Sequence, residues 1–383
     1  MKVFVSAGEA SGDLHGAALV QEMKALHGDM HVTALGGFRL RDAGARILVD
    51  SRELSLIGVL EVFPRARKIF RAWRRIKAHF VQDRPDLVVL VDFPDFNFLL
   101  GRLAHRLGIK VFYYISPQVW AWRTGRVRSL KRFVDAMAVI LPFEKDFYRK
   151  YGMDVHYVGH PLVDVLRNVP PKEVCRQDLG LPPVPPSASD PEVVALLPGS
   201  RSGEVRSFLP LLLESARKVH SAHPHIQFLV PVAPELDLSF VRSLVPCPTQ
   251  IPLRWIHGDT YRALRASDLA VTVSGTVTLE TALLGTPLII VYKVPPLEYH
   301  AGRFLIRVPF IGLPNLVAGR KVCPELIQQD ATPERIAGEI RTLLENPKVR
   351  DSRKQALREI AKRVGNPGAA RRAARIALNL CDC

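Results

Sequence analysis

The sequence has little cysteine and lacks the common metal and nucleotide signatures. Its five cysteines, in a chain of 383 residues, are an odd number and form no CxxC pair. A disulfide framework or a structural zinc site is therefore not expected, and a reducing cytosol is the natural compartment. The chain also contains no HExxH, no Asp-x-Asp, no GxGxxG and no Walker lysine. These absences argue against metal, nicotinamide and P-loop chemistry, so we expect neither a bound metal nor a cofactor.

The sequence predicts neither a secretory leader nor a membrane-spanning segment. The apolar stretch Met1–Val5 is too short for a signal peptide. The best spanning candidate, Leu269–Tyr292, contains Glu280 and is interrupted by Gly275, Gly285 and Pro287. Its spacing predicts a strand, a short helix and a second strand inside an α/β domain rather than a transmembrane helix.

The composition that remains is that of an ordinary globular protein with a strong positive charge. Hydrophobic residues make up 48% of the chain and charged residues 23%, and the length suggests about two domains. Lysine and arginine number 53 against 37 aspartate and glutamate, which gives a net charge of +16. The surface should favour an anionic partner, which could be nucleic acid, anionic lipid headgroups or a phosphorylated substrate.

Short apolar runs rich in valine and isoleucine alternate with helical stretches in both halves of the chain. The predicted strands are Lys2–Ala7, His31–Ala34, Leu87–Asp92, Val111–Ile115, Ala136–Leu141, Val193–Leu197, Gln227–Val232, Leu269–Val273 and Pro287–Val291. Such runs indicate parallel sheets that are covered by helices on both faces. We therefore predict an α/β protein with two doubly wound, Rossmann-like domains facing each other across a cleft.

A proline-rich stretch separates the two halves. Residues 182–191 cannot continue a sheet ladder or a helix, which predicts a linker between an N-terminal domain (1–181) and a C-terminal domain (192–352). The basic helical tail, about residues 353–383, is expected to pack back onto the first domain or to exchange with a partner chain in a homodimer.

The first predicted strand ends in a polar, glycine-containing loop. Ligands of doubly wound sheets bind beyond the carboxyl ends of strands, beside helix N-termini. The loop residues with this potential are Gly8, Glu9, Ser11, Gly12 and Asp13. Glycines let a ligand approach the backbone closely, and the following helix offers its positive end. The alternative is a plain turn in which Ser11 and Asp13 cap the helix.

The second half offers two loops of the same kind. The first is formed by Gly199, Ser200 and Arg201, with Glu204 beyond it. The second is formed by Ser274, Gly275, Thr276, Thr278 and Glu280. Backbone N–H groups, hydroxyls and an arginine fork suit a diphosphate, and a carboxylate suits ribose hydroxyls. Glu280 could instead simply complement the helix dipole. Two such loops in one domain favour nucleotide binding.

An acidic loop follows the strand that ends near Asp92. Asp95 is a candidate general base, because a carboxylate at a strand end can project into a cleft, and Asn97 lies in the same loop. A helix N-cap is the alternative for Asp95. His160, in a Gly-His-Pro turn, is a cleft candidate for which a structural role is the competing interpretation.

A cationic, amphipathic segment lies between Val59 and Phe80. Its proposed membrane-contacting residues are Arg65, Lys68, Ile69, Trp73 and Ile76. Basic residues interleaved with apolar ones at helical spacing are typical of a segment that lies on an anionic bilayer. The alternative is a surface helix whose apolar face packs on the core.

A second basic cluster follows Trp120 and Trp122. It consists of Arg123, Arg126, Arg128, Lys131 and Arg132. Aromatic side chains beside arginines can stack on bases. Since no nucleic-acid-binding motif accompanies them, we expect no nucleic-acid partner.

Eight stretches together carry a family resemblance. They are SAGEASGDLHGA from Ser6, VDFPDFN from Val91, YISPQVWAWR from Tyr114, LPFEKDFY from Leu141, VGHPLVD from Val158, LLPGSR from Leu196, SGTVTLE from Ser274 and GLPNLVAGR from Gly312. In this order, over nearly the whole chain, they resemble the lipid-A-disaccharide synthase family, which has the glycosyltransferase-B fold. The proline-rich linker and the basic tail depart from the family pattern.

The resemblance implies an inverting, metal-independent glycosyl transfer. The donor would be UDP-2,3-diacylglucosamine and the acceptor the 6-hydroxyl of 2,3-diacylglucosamine 1-phosphate. The products would be a β-1,6-linked disaccharide 1-phosphate and UDP, on the route to lipid A in Gram-negative bacteria. UDP is expected on the second domain, with Asn315 near the sugar. The acceptor is expected on the first domain, with Asp95 as the base and Glu9 as the alternative base or as the residue that orients the acceptor.

The acylated substrates imply peripheral attachment to the cytoplasmic face of the inner membrane. Two other functions stay open at this point. One is another UDP-sugar enzyme of the same fold, such as a UDP-N-acetylglucosamine 2-epimerase. The other is a basic nucleic-acid-binding protein that has retained a nucleotide-binding fold.

Overall fold

A computed structural model of the chain describes residues 1–55, 62–183, 193–245, 251–295 and 308–381, with side chains left out at 54, 55 and 62–66. By contacts the chain divides into two units. Unit 1 is Met1–Pro161 with Gly365–Cys383, and unit 2 is Leu162–Val364. Among the described residues, no helix combines the length and the apolar character needed to cross a bilayer.

Unit 1 is built on a seven-stranded parallel sheet. Its strands are β1 (Lys2–Ala7), β2 (His31–Gly36), β3 (Arg46–Asp50), β4 (Leu87–Val91), β5 (Lys110–Tyr114), β6 (Ala136–Val139) and β7 (His156–Tyr157). Their order is β3-β2-β1-β4-β5-β6-β7. The order reverses between β1 and β4, which pair directly from Val3 with Leu87 to Ala7 with Val91. This reversal is the switch point at which doubly wound sheets bind ligands.

Nine helices and one 3₁₀ turn are described in unit 1. The helices are α1 (Ala10–Leu26), α2 (Phe38–Asp42), α3 (Arg52–Ser55), α4 (Val62–Gln82), α5 (Pro94–Arg106), α6 (Val119–Trp122), α7 (Val127–Phe133), α8 (Pro142–Lys150) and, near the C-terminus, α18 (Ala369–Asn379). The 3₁₀ turn is Thr124–Arg126. All five residues of β4 are buried, as expected for an apolar strand covered on both faces.

Unit 2 contains a six-stranded parallel sheet. Its strands are β8 (Val193–Leu197), β9 (Gln227–Val232), β10 (Leu253–His257), β11 (Leu269–Val273), β12 (Leu288–Tyr292) and β13 (Glu325–Ile327). Their order is β10-β9-β8-β11-β12-β13, so the switch point lies between β8 and β11. The predicted α/β class with two doubly wound sheets is confirmed, and β11, α14 and β12 form the strand–helix–strand unit expected for Leu269–Tyr292.

The described helices of unit 2 follow the same alternating pattern. They are α9 (Leu162–Leu166), α10 (Lys172–Asp178), α11 (Ser202–Ala222), α12 (Leu238–Ser243), α13 (Thr260–Ala266), α14 (Thr276–Leu283), α15 (Leu313–Ala318), α16 (Pro333–Glu345) and α17 (Pro347–Val364). The buried apolar face of α11, which includes Leu209, Leu212 and Ala216, packs with α16 residues such as Ile336 and Ile340 in one core.

The two units differ in extent from the domains expected from the sequence. Residues 162–181 belong to unit 2, because Arg176 of α10 is fully buried and donates to the Ala266 carbonyl at 3.0 Å and to Asp268 at 2.7 Å. In the basic tail, α17 belongs to unit 2, whereas α18 packs against α1 in unit 1. Most of the expected linker, 184–191, lies outside the described residues.

Candidate active site

In unit 1, the loops that follow β1 and β4 touch each other at the switch point. A side chain at position 8 would collide with the Phe93 ring. Gly8 therefore permits an approach that no other residue would allow. Gly12 is buried beside Ala7, whereas Glu9 and Ser11 are exposed. The structure thus brings the first loop and the acidic loop together.

Asn97 joins the ends of these two strands. Its Oδ1 accepts a hydrogen bond from Ser6 Oγ at 2.6 Å, and its Nδ2 donates to the Asp92 carbonyl at 2.7 Å and the Val91 carbonyl at 3.2 Å. The side chain is completely buried. Asn97 therefore fixes the geometry of the site from behind rather than facing a ligand.

Asp13 also has a structural role. Its carboxylate accepts hydrogen bonds from the backbone N–H groups of Gly37 at 2.6 Å, Arg39 at 2.9 Å and Leu40 at 3.3 Å. It thereby accepts hydrogen bonds from the free N–H groups at the N-terminus of α2. The sequence analysis offered Asp13 as a cap of α1 instead. These bonds hold the end of β2 against α1.

Asp92 is the residue of this site that the sequence reasoning missed. Asp92 and Phe93 both have positive φ values, 44° and 46°, in a region that non-glycine residues rarely occupy. The Asp92 carbonyl accepts hydrogen bonds from Asn97 Nδ2 at 2.7 Å and from Tyr113 Oη at 2.8 Å, which hold this conformation. The signal available in the sequence was its position as the first residue after a buried strand.

The surroundings of the Asp92 carboxyl group raise its pKa. Burial raises its pKa to about 6, the negative charge of Glu9 acts in the same direction, and the Phe93 N–H opposes them. A general base works best when its pKa lies near the working pH. Strain, partial burial and a neighbouring carboxylate thus coincide at one strand end.

Asp95, the base predicted from the sequence, has different surroundings. It lies in the first turn of α5, whose N-cap is Phe93, and its side chain is 77% exposed. Its Oδ1 atom lies 2.7 Å from Arg126 Nη2 and 3.4 Å from Arg123 Nη1. Two guanidinium groups therefore already compensate its charge.

His160 is buried and uncharged. Burial lowers its pKa to about 3, and the nearby His15 acts in the same direction. Burial also lowers the pKa of His15 to about 4. The burial of His160 and the lowered pKa values of both histidines favour the structural interpretation of His160.

In unit 2, the two predicted phosphate loops also follow neighbouring strands. Leu197 at the end of β8 pairs with Thr272 of β11, so the loops at Gly199 and Ser274 lie side by side and lead into α11 and α14. Two helix N-termini at one switch point form a favourable setting for an anion.

The first of these loops is organised by Glu204. Its Oε2 accepts hydrogen bonds from the N–H groups of Ser200 at 3.0 Å and Arg201 at 3.2 Å. The Arg201 side chain is 80% exposed and lies 3.4 Å from Glu204 Oε1. Glu204 thus occupies the N–H groups that the sequence assigned to phosphate, and Arg201 is the group left facing solvent.

The second loop keeps its N-terminal end accessible. Gly275 and Thr276 are exposed, while Ser274 Oγ donates to the Ile311 carbonyl at 3.1 Å and Thr278 Oγ1 donates to the Gly275 carbonyl at 2.8 Å. Ser274 and Thr278 therefore shape the loop. The start of α14 at Thr276 is the part available to a diphosphate.

Glu280 and Asn315 have contrasting surroundings. Burial raises the pKa of Glu280 to about 7, and a hydrogen bond from Tyr261 Oη at 3.4 Å opposes this. Asn315 is fully buried. Its Nδ2 donates to the Cys323 carbonyl and to Glu325, and its Oδ1 accepts from the N–H groups of Val322 and Cys323. All of its hydrogen-bonding capacity is used, which favours a role in shaping the loop.

Within the described residues, no group of three or more His, Cys, Asp or Glu side chains is arranged to hold a metal ion. The switch point of unit 1 presents carboxylates, and a carboxylate can take a proton from a hydroxyl. The switch point of unit 2 presents Arg201 and the N-terminus of α14, which can bind a phosphorylated group.

Comparison with known proteins gives concordant results. A family model described as lipid-A-disaccharide synthetase matches residues 3–379. Lipid-A-disaccharide synthase of Syntrophus aciditrophicus is 47% identical, over 100% of this chain and 99% of that protein. The enzyme of the same name from Geobacter sulfurreducens is 44% identical, over 99% and 97% respectively.

Solved structures share the fold at low sequence identity. UDP-GlcNAc 2-epimerase from Neisseria meningitidis, bound to UDP-GlcNAc, has a TM-score of 0.63 and 13% identity over 99% of both chains. The calicheamicin glycosyltransferase CalG4 has a TM-score of 0.60 and 18% identity over 99% of this chain and 98% of that one. These likenesses establish the glycosyltransferase-B type of fold.

Proposed function

We infer the reaction of this chain from one premise, which is that it belongs to the lipid-A-disaccharide synthase family. It is therefore a glycosyltransferase of lipid A biosynthesis. We propose that it transfers 2,3-diacylglucosamine from UDP-2,3-diacylglucosamine to the 6-hydroxyl of 2,3-diacylglucosamine 1-phosphate. The products are the β-1,6-linked disaccharide 1-phosphate and UDP.

The single observation that carries the chemical step is the carboxylate at the end of β4. Inverting transfer needs one base that takes the proton of the attacking hydroxyl. Because a diphosphate is already a good leaving group, it does not need the acidic carboxyl group that inverting glycosidases use. Asp92 supports this role better than Asp95, because it is partly buried and its pKa is raised to about 6. Glu9 adds negative charge beside it and orients the acceptor.

Unit 2 binds the donor in this proposal. The N-terminus of α14 at Gly275 and Thr276, together with the exposed Arg201, stabilises the diphosphate as charge develops on the leaving group. Glu280 binds the ribose hydroxyls.

Replacement of Arg201 by alanine should weaken UDP affinity as well as turnover. An unchanged UDP affinity, measured by calorimetry, would exclude Arg201 from the donor site.

The membrane is part of the proposal because both substrates carry acyl chains. A basic protein with shallowly inserted apolar groups suits a lipid-embedded sugar phosphate among anionic lipids. We propose peripheral attachment to the cytoplasmic face of the inner membrane through α4.

Mass spectrometry of the products tests the reaction. The purified protein is incubated with the two diacylglucosamine substrates and, separately, with UDP-N-acetylglucosamine alone, whose products are also separated by chromatography because a 2-epimer has the same mass as its substrate. We expect the tetraacyl disaccharide 1-phosphate and UDP from the first mixture and no change in the second. A 2-epimer from UDP-N-acetylglucosamine, without disaccharide from the acylated pair, would replace the proposal by an epimerase.

A further inference from the structure

The structure divides the basic cluster that follows Trp120 into two parts. Arg128, Lys131 and Arg132 lie on α7 with exposed side chains. Arg123 and Arg126 precede α7 and contact Asp95, at the beginning of α5. The proposed transfer as described above uses neither of these two arginines.

Arg123 and Arg126 carry more positive charge than their partner neutralises. Both contact the same oxygen, Asp95 Oδ1, at 3.4 Å and 2.7 Å respectively. Two guanidinium groups around one carboxylate leave one positive charge uncompensated in this cluster. The two arginine side chains are 38% and 31% exposed, so an anion from solution can reach them.

Aromatic rings support both guanidinium groups. The Arg123 guanidinium carbon lies 3.8 Å from the centroid of the Trp122 ring, and that of Arg126 lies 5.2 Å from the centroid of Phe98. Such contacts restrict the planar groups and reduce the entropy lost when they bind a ligand. The pair is therefore ordered before any anion arrives.

Arg126 also lies at the same strand end as Asp92. The Tyr113 hydroxyl donates to the Asp92 carbonyl at 2.8 Å. Burial, and then the Asp92 carboxylate, raise the pKa of Tyr113, whereas the Arg126 guanidinium lowers it. Arg126 Nη2 lies 2.7 Å from Asp95 Oδ1, and Asp95 follows Asp92 by three residues, so Arg126 and Asp92 lie at the same end of the sheet.

We propose that Arg123 and Arg126 bind the phosphate group of the acceptor, and that Asp95 holds them in position until the phosphate takes over their hydrogen bonds. This inference rests on the proposed function, which supplies a sugar 1-phosphate as the acceptor. A phosphate monoester offers several oxygens and up to two negative charges, which suit two arginine forks better than one carboxylate does. The hydroxyl of the same molecule would then be presented to Asp92.

Steady-state kinetics with two acceptors test this assignment. One is 2,3-diacylglucosamine 1-phosphate, and the other is the same sugar without phosphate, used as a competitive inhibitor if it is not turned over. The variants are Arg126→Ala, Arg126→Lys and Arg123→Ala, and the matched control is Arg128→Ala on the exposed side of α7. Neutral detergent micelles keep lipid phosphate out of the assay, and thermal melting checks the folding of each variant.

Arg126→Ala should lower kcat/KM for the phosphorylated acceptor about 10- to 100-fold, the range for charged hydrogen bonds. Binding of the sugar without phosphate should change much less, and kcat/KM of Arg126→Lys should fall between the values of Arg126→Ala and the wild type. Arg128→Ala should match the wild type.

An equal loss for both acceptors would overturn the assignment and leave Arg126 as a positioning residue for Asp95. A loss seen only after phosphatidylglycerol is added would assign the pair to lipid headgroups instead. If the wild type forms no disaccharide from the phosphorylated acceptor, the proposed function fails and this inference with it.

Discussion

Asp92 and Asp95 lie three residues apart and differ in what surrounds their carboxyl groups. Asp92 is partly buried beside another carboxylate, while Asp95 is exposed and paired with two arginines. We expect Asp92→Asn to lower kcat by about 10²- to 10⁴-fold, the usual contribution of a general base. Asp95→Asn should have a smaller effect, and UDP affinity, measured by calorimetry, should be unchanged in both.

The pH dependence provides a second measurement on the same pair. The base acts as a carboxylate, so kcat/KM of the wild type should fall as the pH is lowered through about 6, the raised pKa of Asp92. This acidic limb should be absent from the residual activity of Asp92→Asn. If Asp92→Asn is fully active and Asp95→Asn is inactive, Asp95 is the base, as the sequence analysis expected.

Glu144 makes the stability of the protein depend on pH. It is completely buried, and its carboxylate accepts hydrogen bonds from Ile140, Leu141 and Trp120. Burial nonetheless raises its pKa from 4.5 to about 7. Between these two values the folded chain holds a proton that the unfolded chain releases, so the free energy of unfolding should decrease as the pH rises through this window.

Urea unfolding at pH 5 and pH 7.5 measures this effect. Glu144→Gln should reduce the difference in unfolding free energy between the two conditions, whatever its effect on absolute stability. Glu173→Gln, at an exposed position on α10, is the control and should leave the difference unchanged. An undiminished difference in Glu144→Gln would show that other groups cause the pH dependence.

Several polar residues of the site have partners that the sequence does not reveal. Asn97 bonds to Ser6, 91 positions away, and Asp13 bonds to residues of α2 more than 20 positions away. The amide nitrogen and oxygen of Asn315 both form hydrogen bonds with the backbone of Cys323. A local pattern shows that a polar residue follows a strand, but the direction of its side chain depends on these distant groups. The sequence therefore located the loops correctly and could not separate ligand-facing from structural residues.

At the scale of elements, α4 is the amphipathic helix that the spacing of its residues predicts, but some of the residues predicted to contact the membrane face the core. Ile76 is fully buried, and Ile69 and Trp73 pack against the core of unit 1. The isoleucines therefore belong to the core and not to a membrane-contacting face. Lys68 is exposed, and the side chain of Arg65 lies outside the described part of the structure.

The face of α4 that remains for a bilayer is formed by other residues. Phe70 is 57% exposed and Val81 63% exposed. Arg74 lies 6.0 Å from the Phe70 ring, and Lys77 lies 5.2 Å from the Trp73 ring. Exposed apolar groups between basic ones can insert shallowly while the charges meet anionic headgroups.

Vesicle sedimentation distinguishes the two faces of α4. Phe70→Ser combined with Val81→Ser should weaken binding to anionic vesicles at low salt about tenfold or more, since the lost apolar burial is worth over 1.4 kcal/mol. Ile76→Ala should instead lower the free energy of unfolding by about 2–5 kcal/mol. Phe38→Ser, at a 69% exposed phenylalanine of α2, is the control for loss of an exposed ring. Equal vesicle binding by the double variant and the wild type would exclude this face.

Whether a strand could be predicted from the sequence depends on its position in the sheet. The sequence predicts the inner strands closely, and β1, β8, β9 and β11 have the expected bounds. The four strands that the sequence did not reveal are β3, β7, β10 and β13, which are the edges of the two sheets. Edge strands are partly exposed, so β3 (RILVD) and β10 (LRWIH) are not continuous apolar runs and lack the signal on which the prediction depends.

At the scale of the whole molecule, the C-terminal part of the chain passes from one unit to the other. After α17, which belongs to unit 2, the chain returns to unit 1, where α18 packs against α1. The buried side of α18 consists of four alanines and one leucine: Ala369, Ala373, Ala374, Ala377 and Leu378. The sequence predicts a basic helical tail, but an apolar helix face does not reveal whether the surface that covers it belongs to the same chain or to a partner, so both packing back and exchange stayed open.

Arg372 connects α18 to the rest of unit 1. Its guanidinium donates to the carbonyls of Val158 at 2.8 Å, Pro367 at 2.7 Å and Asn366 at 2.7 Å. Because Arg372→Ala leaves these carbonyls without their donor, unit 1 should lose about 1–3 kcal/mol of stability. Trp73, Trp120 and Trp122 lie in unit 1, so tryptophan fluorescence reports mainly on its unfolding.

Arg375→Ala provides a matched control, because Arg375 is an exposed arginine on the same helix. Fluorescence should show a lower unfolding midpoint for Arg372→Ala than for Arg375→Ala, while UDP binding to unit 2 persists in both below the transition. Equal midpoints would mean that these hydrogen bonds do not secure α18. A midpoint that rises with protein concentration in the wild type but not in Arg372→Ala would instead assign the docking of α18 to α1 of a second chain, since only an intermolecular contact responds to mass action.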